Sequence, residues 1–148
     1  MNYRLSTIED IPVLIDLRKK QLVDEGQSSD VDMDQELTEF FNKHFADNTL
    51  IEWMAEDDGK IVATAAVMLI EFPPAFTNPS GIKGYITNMY TDPKYRGRGM
   101  AKELLNKVLA EARDIGVKNI LLAASDMGKP VYRKVGFEDA GEWMKMIF

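Results

Sequence analysis

The chain contains no cysteine and one histidine, His44. The first absence excludes disulfide staples, thiolate metal sites and a cysteine nucleophile. The second excludes a multi-histidine metal centre and leaves no obvious Ser-His machinery, so no metal is expected. His44 reads as a partly exposed helix residue rather than a ligand. No apolar run approaches the roughly 18 residues of a membrane span. The start, MNYRLSTIED, lacks the charged-then-apolar pattern of a secretory signal. A cytoplasmic protein without a membrane partner is the expectation. There is no internal repeat, low-complexity tract or linker, and residues 1–148 are expected to form one domain. Positive charge is also scarce: 18 Lys and Arg stand against 24 Asp and Glu, a net charge of −6. That balance speaks against nucleic acid as a partner. It suits a cationic or amine partner, or simply solubility.

What is present is an ordinary globular composition, 45% hydrophobic and 9% aromatic over 148 residues, enough chain to bury a core unaided. Hydrophobic periodicity orders it. A short strand in NYRL leads to a helix carrying Ile11, Leu14, Ile15, Leu17 and Leu22, with Ser6 or Thr7 as cap. After a polar loop, Leu37, Phe40, Phe41 and Phe45 line a second helix. Two strand-like runs then flank Asp57-Asp58-Gly59-Lys60, a hairpin signal. GYITNMYTD is a further strand, stopped by Pro93. Ala101, Leu104, Leu105, Val108, Leu109 and Ala112 form a helical stripe that ends at Gly116. VKNILLAA reads as a strand buried on both faces. A short helix follows to about Lys134, and two last strands are expected around Asp139-Ala140-Gly141. The expected fold is α/β (α+β): one mixed sheet of about seven strands with about four helices, in the order β-α-α-β-β-β-α-β-α-β-β.

The most informative stretch is YRGRGMAKELL, residues 95–105. Positive charge gathers around two glycines where a helix begins. A helix start carries about four backbone N–H groups without intrahelical partners and a partial positive charge, which together attract phosphate. Gly97 and Gly99 let backbone approach an oxygen without a Cβ between. Arg96, Arg98 and Lys102 add full charge at the rim. The spacing is not that of a P-loop, and Lys102 stands where a dinucleotide fingerprint needs its third glycine. It does read R-x-x-G-x-A from Arg96 to Ala101.

On that motif, NMYTDPKYRGRGMAKELLNKVLAEA resembles the acetyl-CoA-binding segment of the GNAT superfamily of N-acetyltransferases. GKPVYRKVGFED resembles the same family's late helix-strand segment. The resemblance is close over residues 81–140, and the element order agrees throughout. It implies a single N-acetyltransferase domain with acetyl-CoA as cosubstrate. The diphosphate would lie on the amides of Arg96, Gly97, Arg98, Gly99, Met100 and Ala101, with Lys102 beside it. The strand at Asn88, Met89, Tyr90 and Thr91 would pair with the pantetheine arm.

The implied reaction is direct transfer of acetyl to a primary amine. The amine must first lose a proton, because an alkylammonium with a pKa near 10.4 has no lone pair. By the same resemblance, the backbone N–H of Met89 or Tyr90 serves the oxyanion and Tyr132 protonates the leaving sulfur. Tyr132 also fits a packed helix residue. Ser125 fits either a coenzyme contact or a helix cap. Many family members carry a glutamate on the strand before the loop, but Ile86, Thr87 and Asn88 stand there in this chain. Glu25 and Glu71 are candidate bases, as are a water relay or an amine that arrives neutral, and the base is unassigned. The expected acceptor is a small-molecule amine. A protein N-terminus or lysine is one alternative and a non-catalytic acyl-CoA sensor another. Either a monomer or a homodimer fits the chain.

Overall fold

A computed structural model of the chain describes residues 1–148. It runs β1 (Asn2–Leu5), α1 (Ile11–Asp24), α2 (Asp34–Ala46), β2 (Leu50–Asp57), β3 (Lys60–Glu71), β4 (Ile82–Thr91), α3 (Met100–Asp114), β5 (Ile120–Leu122) and α4 (Lys129–Val135). Single 3-10 turns precede α1 at Ile8–Asp10 and α3 at Pro93–Tyr95. No helix is long and apolar enough to cross a membrane.

The five strands form one sheet in the order β1-β2-β3-β4-β5. The first four are antiparallel and β5 is parallel to β4. The β2–β3 turn is set by Asp58 and Gly59, both at positive φ, the backbone a two-residue hairpin needs. Two apolar layers cover the sheet. On one face Ile11, Leu14 and Phe41 of α1 and α2 pack on Leu50, Met54 and Ala66. On the other, Met100, Leu104, Leu105, Val108 and Ala112 of α3 pack on Val62, Ala63, Ala65, Val67 and Ile86. The small alanines let α3 lie close to the sheet, which fixes where its N-terminus points.

The sheet has five strands, not the seven expected. Residues 137–148 form no strand, and Trp143, Met144, Met146, Ile147 and Phe148 are exposed. The segment has strand-like composition, but strand preference is realised only against a partner edge, and no strand lies beside it. The run VKNILLAA yields only Ile120–Leu122, each half-buried rather than buried on both faces. The remaining order, with four helices, is as expected.

Candidate functional site

Two irregularities in β4 create the site. The first is a bulge. Thr64 of β3 faces Tyr90, whereas Ala66 faces Thr87, so β4 holds one residue more than its partner at Asn88-Met89. Asn88 takes φ 54°, a conformation that asparagine tolerates better than most residues. Its carbonyl accepts a hydrogen bond from Thr64 Oγ1 at 2.8 Å. Its side-chain Nδ2 donates to Glu52 Oε2 at 3.3 Å. A bulge re-aims the residues that follow it, here Met89, Tyr90 and Thr91.

The second irregularity is a splay. β5 accompanies β4 only over Gly84–Ile86, opposite Ile120–Leu122. From Thr87 to Thr91 the same edge of β4 has no strand beside it. This is the edge that leads to the glycine loop.

The loop is braced from both sides. Arg96 Nε donates to the Thr91 carbonyl at 2.9 Å, and Arg96 Nη2 pairs with Asp24 Oδ2 at 2.7 Å. Arg98 Nη2 donates to the Lys94 carbonyl at 3.2 Å, with its guanidinium 5.0 Å from the Tyr95 ring centre. Tyr95 in turn donates to Asp57 Oδ2 at 2.7 Å. The two arginines expected as a charged rim therefore spend their side chains largely on shaping the loop. Lys102 is exposed and forms no ion pair with the protein.

The result is a run of unpartnered donors. The backbone N–H groups of Gly97, Arg98, Gly99, Met100, Ala101 and Lys102 find no acceptor within the protein. The first amide of α3 to be satisfied is that of Glu103, which donates to the Gly99 carbonyl at 3.0 Å. No side chain caps α3. Gly97 and Gly99 adopt φ 78° and 80°, and a Cβ built on either would meet no atom within 4 Å. Open space thus faces consecutive amides at a helix N-terminus, the arrangement that binds phosphate oxygens.

Tyr132 lies in α4 on the other side of the splay. It borders a cavity of about 800 Å³ shared with Tyr85, Leu121, Leu122 and the 137–145 segment. The residue is buried, its ring edge-on to Phe137 at 6.0 Å. Burial, with the charge of Glu25 and then the Tyr85 phenol nearby, pushes its pKa up to about 12. The phenol therefore stays protonated at neutral pH and remains a donor. Gly128 makes room for it, since a Cβ there would stand 2.7 Å from Tyr132 Cε2 and 3.3 Å from Ser125 Oγ. Ser125 Oγ accepts from the Gly128 N–H at 3.2 Å, shaping the turn into α4.

Of the two candidate bases, Glu25 adjoins this region and accepts from Gln21 Nε2 at 3.2 Å. Glu71 does not line that cavity, although its neighbours Ile70 and Phe72 do. It pairs with Ile82 at the opposite end of β4, about 20 Å from Met89 at strand rise. His44 is half-buried in α2, its Nδ1 2.6 Å from Thr49 Oγ1. No three His, Asp or Glu side chains are grouped as a metal would need.

One carboxyl was missed. Glu52 is only 2% exposed, and its carboxyl is pushed up to about 8 by burial, against the opposing pull of the Asn88 hydrogen bond and the Arg18 charge. Its signal was in the sequence. In LIEWM, period-two alternation puts Glu52 on the face of Leu50 and Met54, which marks a buried acid.

A family model for the acetyltransferase (GNAT) family matches residues 13–137. The chain is 48% identical to a predicted acetyltransferase from Clostridium acetobutylicum, whose crystal structure was determined with acetyl-CoA; the match covers 99% of this chain and 95% of that one, with a TM-score of 0.96. It is 32% identical over 88 residues to the glucosamine 6-phosphate N-acetyltransferase of Trypanosoma brucei brucei, covering 60% of this chain and 58% of that protein's length. With the enzyme of the same name from Arabidopsis thaliana it shares 26% over 129 residues, covering 86% and 83%.

Proposed function

Because the chain belongs to the acetyltransferase (GNAT) family, we propose that it is an acetyl-CoA-dependent N-acetyltransferase acting on a small-molecule amine. The observation that carries this reading is the run of six unpartnered amides from Gly97 to Lys102, set at the end of an unaccompanied strand edge. A diphosphate on those amides leaves the pantetheine arm to run along Met89, Tyr90 and Thr91, adding itself to the open edge as an extra strand would. The thioester then reaches the mouth of the splay, between the bulge and Tyr132.

In the proposed transfer, a neutral amine attacks the thioester carbon. Negative charge moves to the carbonyl oxygen, for which the backbone N–H of Met89 or Tyr90 beside the bulge is the proposed donor. As the carbon–sulfur bond breaks, Tyr132 gives its phenolic proton to the departing thiolate, and the proton shed by the amine restores the phenol by way of solvent. The absence of cysteine leaves direct transfer rather than an acetyl-cysteine relay. The crystal structure of the relative with acetyl-CoA supports the choice of coenzyme. The two glucosamine 6-phosphate N-acetyltransferases support a small acceptor.

Thermal unfolding tests the coenzyme half of the proposal. A ligand that binds only the folded chain raises its melting temperature by mass action. Acetyl-CoA should do so and nucleoside triphosphates should not. Release of free thiol from acetyl-CoA in the presence of amines tests the other half. A melting shift with no thiol release from any amine would favour a non-catalytic acyl-CoA sensor.

A further inference from the structure

A second, smaller cavity of about 210 Å³ opens on the α1/α2 face of the sheet, directly beside the β4 bulge. Tyr85, Thr87 and Asn88 form its floor, and Phe40 and Phe41 form an apolar wall. Tyr85 also borders the larger cavity that holds Tyr132, and it lies just before the point where β5 leaves β4. Arg18, reaching in from α1, is the one charged residue in the lining. No carboxylate lies within ion-pair distance of its guanidinium. Its one hydrogen bond to another side chain goes to the neutral Gln21 Oε1 at 3.3 Å. Its charge is felt by Glu52, which is held beneath the floor by Asn88.

This is an unusual lining for a site whose substrate is an amine. A cationic acceptor with no counter-charge would meet a cation and two phenyl rings. An amine that also carries an oxyanion would meet a planar fork of donors suited to carboxylate or phosphate. We propose that the acceptor is a compact amine bearing a carboxylate or phosphate, with its oxyanion held by Arg18 and its amine delivered past Asn88 to the thioester. The inference rests on the acetyltransferase reading above and narrows its substrate class. Charge decides orientation as well as affinity. With the anionic end fixed at Arg18, the amine end is directed toward the Met89 side of the bulge. The rings of Phe40 and Phe41 take whatever apolar body joins the two ends. The net negative charge of the chain, which suits a cationic partner when the sequence is read alone, is therefore overridden by one local cation.

The test uses matched pairs of acceptors in the thiol-release assay: phenylalanine against phenethylamine, leucine against isoamylamine, and glucosamine 6-phosphate against glucosamine. In at least one pair the anionic member should have the higher kcat/KM, by about tenfold or more. The first two pairs report a carboxylate and the third a phosphate. Arg18→Met, which keeps the length of the stem, should bring that ratio to near one, and Arg18→Lys should restore part of it. Comparing ratios between enzymes removes any difference in the basicity of the amines. A wild-type preference for the uncharged member in every pair would overturn the proposal. So would a ratio that Arg18→Met leaves unchanged, or no turnover of any anionic amine by a protein whose melting temperature acetyl-CoA does raise. Failure of acetyl-CoA to raise the melting temperature would instead remove the coenzyme reading, and this inference with it.

Discussion

Single atoms decide much of the proposed chemistry. In the proposed transfer Tyr132 protonates the thiolate; its phenol is neutral at pH 7 at its ordinary pKa, and burial pushes that pKa further up. Tyr132→Phe should lower kcat by about 10²-fold or more, the scale of a lost acid catalyst, while acetyl-CoA affinity changes less than about twofold. Equal turnover, measured by thiol release, would remove the tyrosine from the reaction. Gly128 supplies a second test of the same group. Gly128→Ala puts a methyl against the ring, and the ring must move. Turnover should fall with the coenzyme-induced melting shift retained. The short helix that carries the tyrosine was legible in the sequence. The need for Gly128 was not, because it depends on two side chains meeting in space.

At the scale of elements, the strand-loop-helix unit from β4 to α3 carries the site. Its helix was plain from a stripe of apolar residues, and its loop from two glycines among cations. The bulge was hidden. Nothing in ITNMYT announces an extra residue, which becomes visible only when Thr64 and Ala66 are set against Tyr90 and Thr87. The arginines were legible as charge but not as braces, since Asp24 lies 72 positions away in sequence from Arg96. Gly99→Val should abolish the acetyl-CoA melting shift. A branched Cβ would project into the open space before the amides, at a φ of 80° that such side chains disfavour. Leu104→Ala, by contrast, acts from the core side. That residue is fully buried, and its loss should cost about 2–5 kcal/mol in denaturant unfolding.

For the whole molecule, one buried acid gives stability a pH signature. Glu52 has a pKa raised from 4.5 to about 8, so between those values the folded chain binds more protons than the unfolded one. This group's contribution must then fall as pH rises from about 4.5 through about 8. Glu52→Gln mimics the protonated acid. The variant should match the parent near pH 4.5 and exceed it progressively toward pH 8, by about 3 °C or more in melting temperature at the upper end. A constant difference across that range would mean that the carboxyl is not held protonated by the fold. The overall architecture was legible from periodicity and order. The two last strands were not correctly read, because a run such as EWMKMIF has strand composition whether or not an edge exists to receive it.

The most direct measurement is a crystal structure of the chain with coenzyme A. The diphosphate oxygens should lie at hydrogen-bond distance, about 2.7–3.2 Å, from several of the backbone nitrogens between Gly97 and Lys102. A well-ordered coenzyme with its diphosphate elsewhere, and those nitrogens facing only water, would contradict the account.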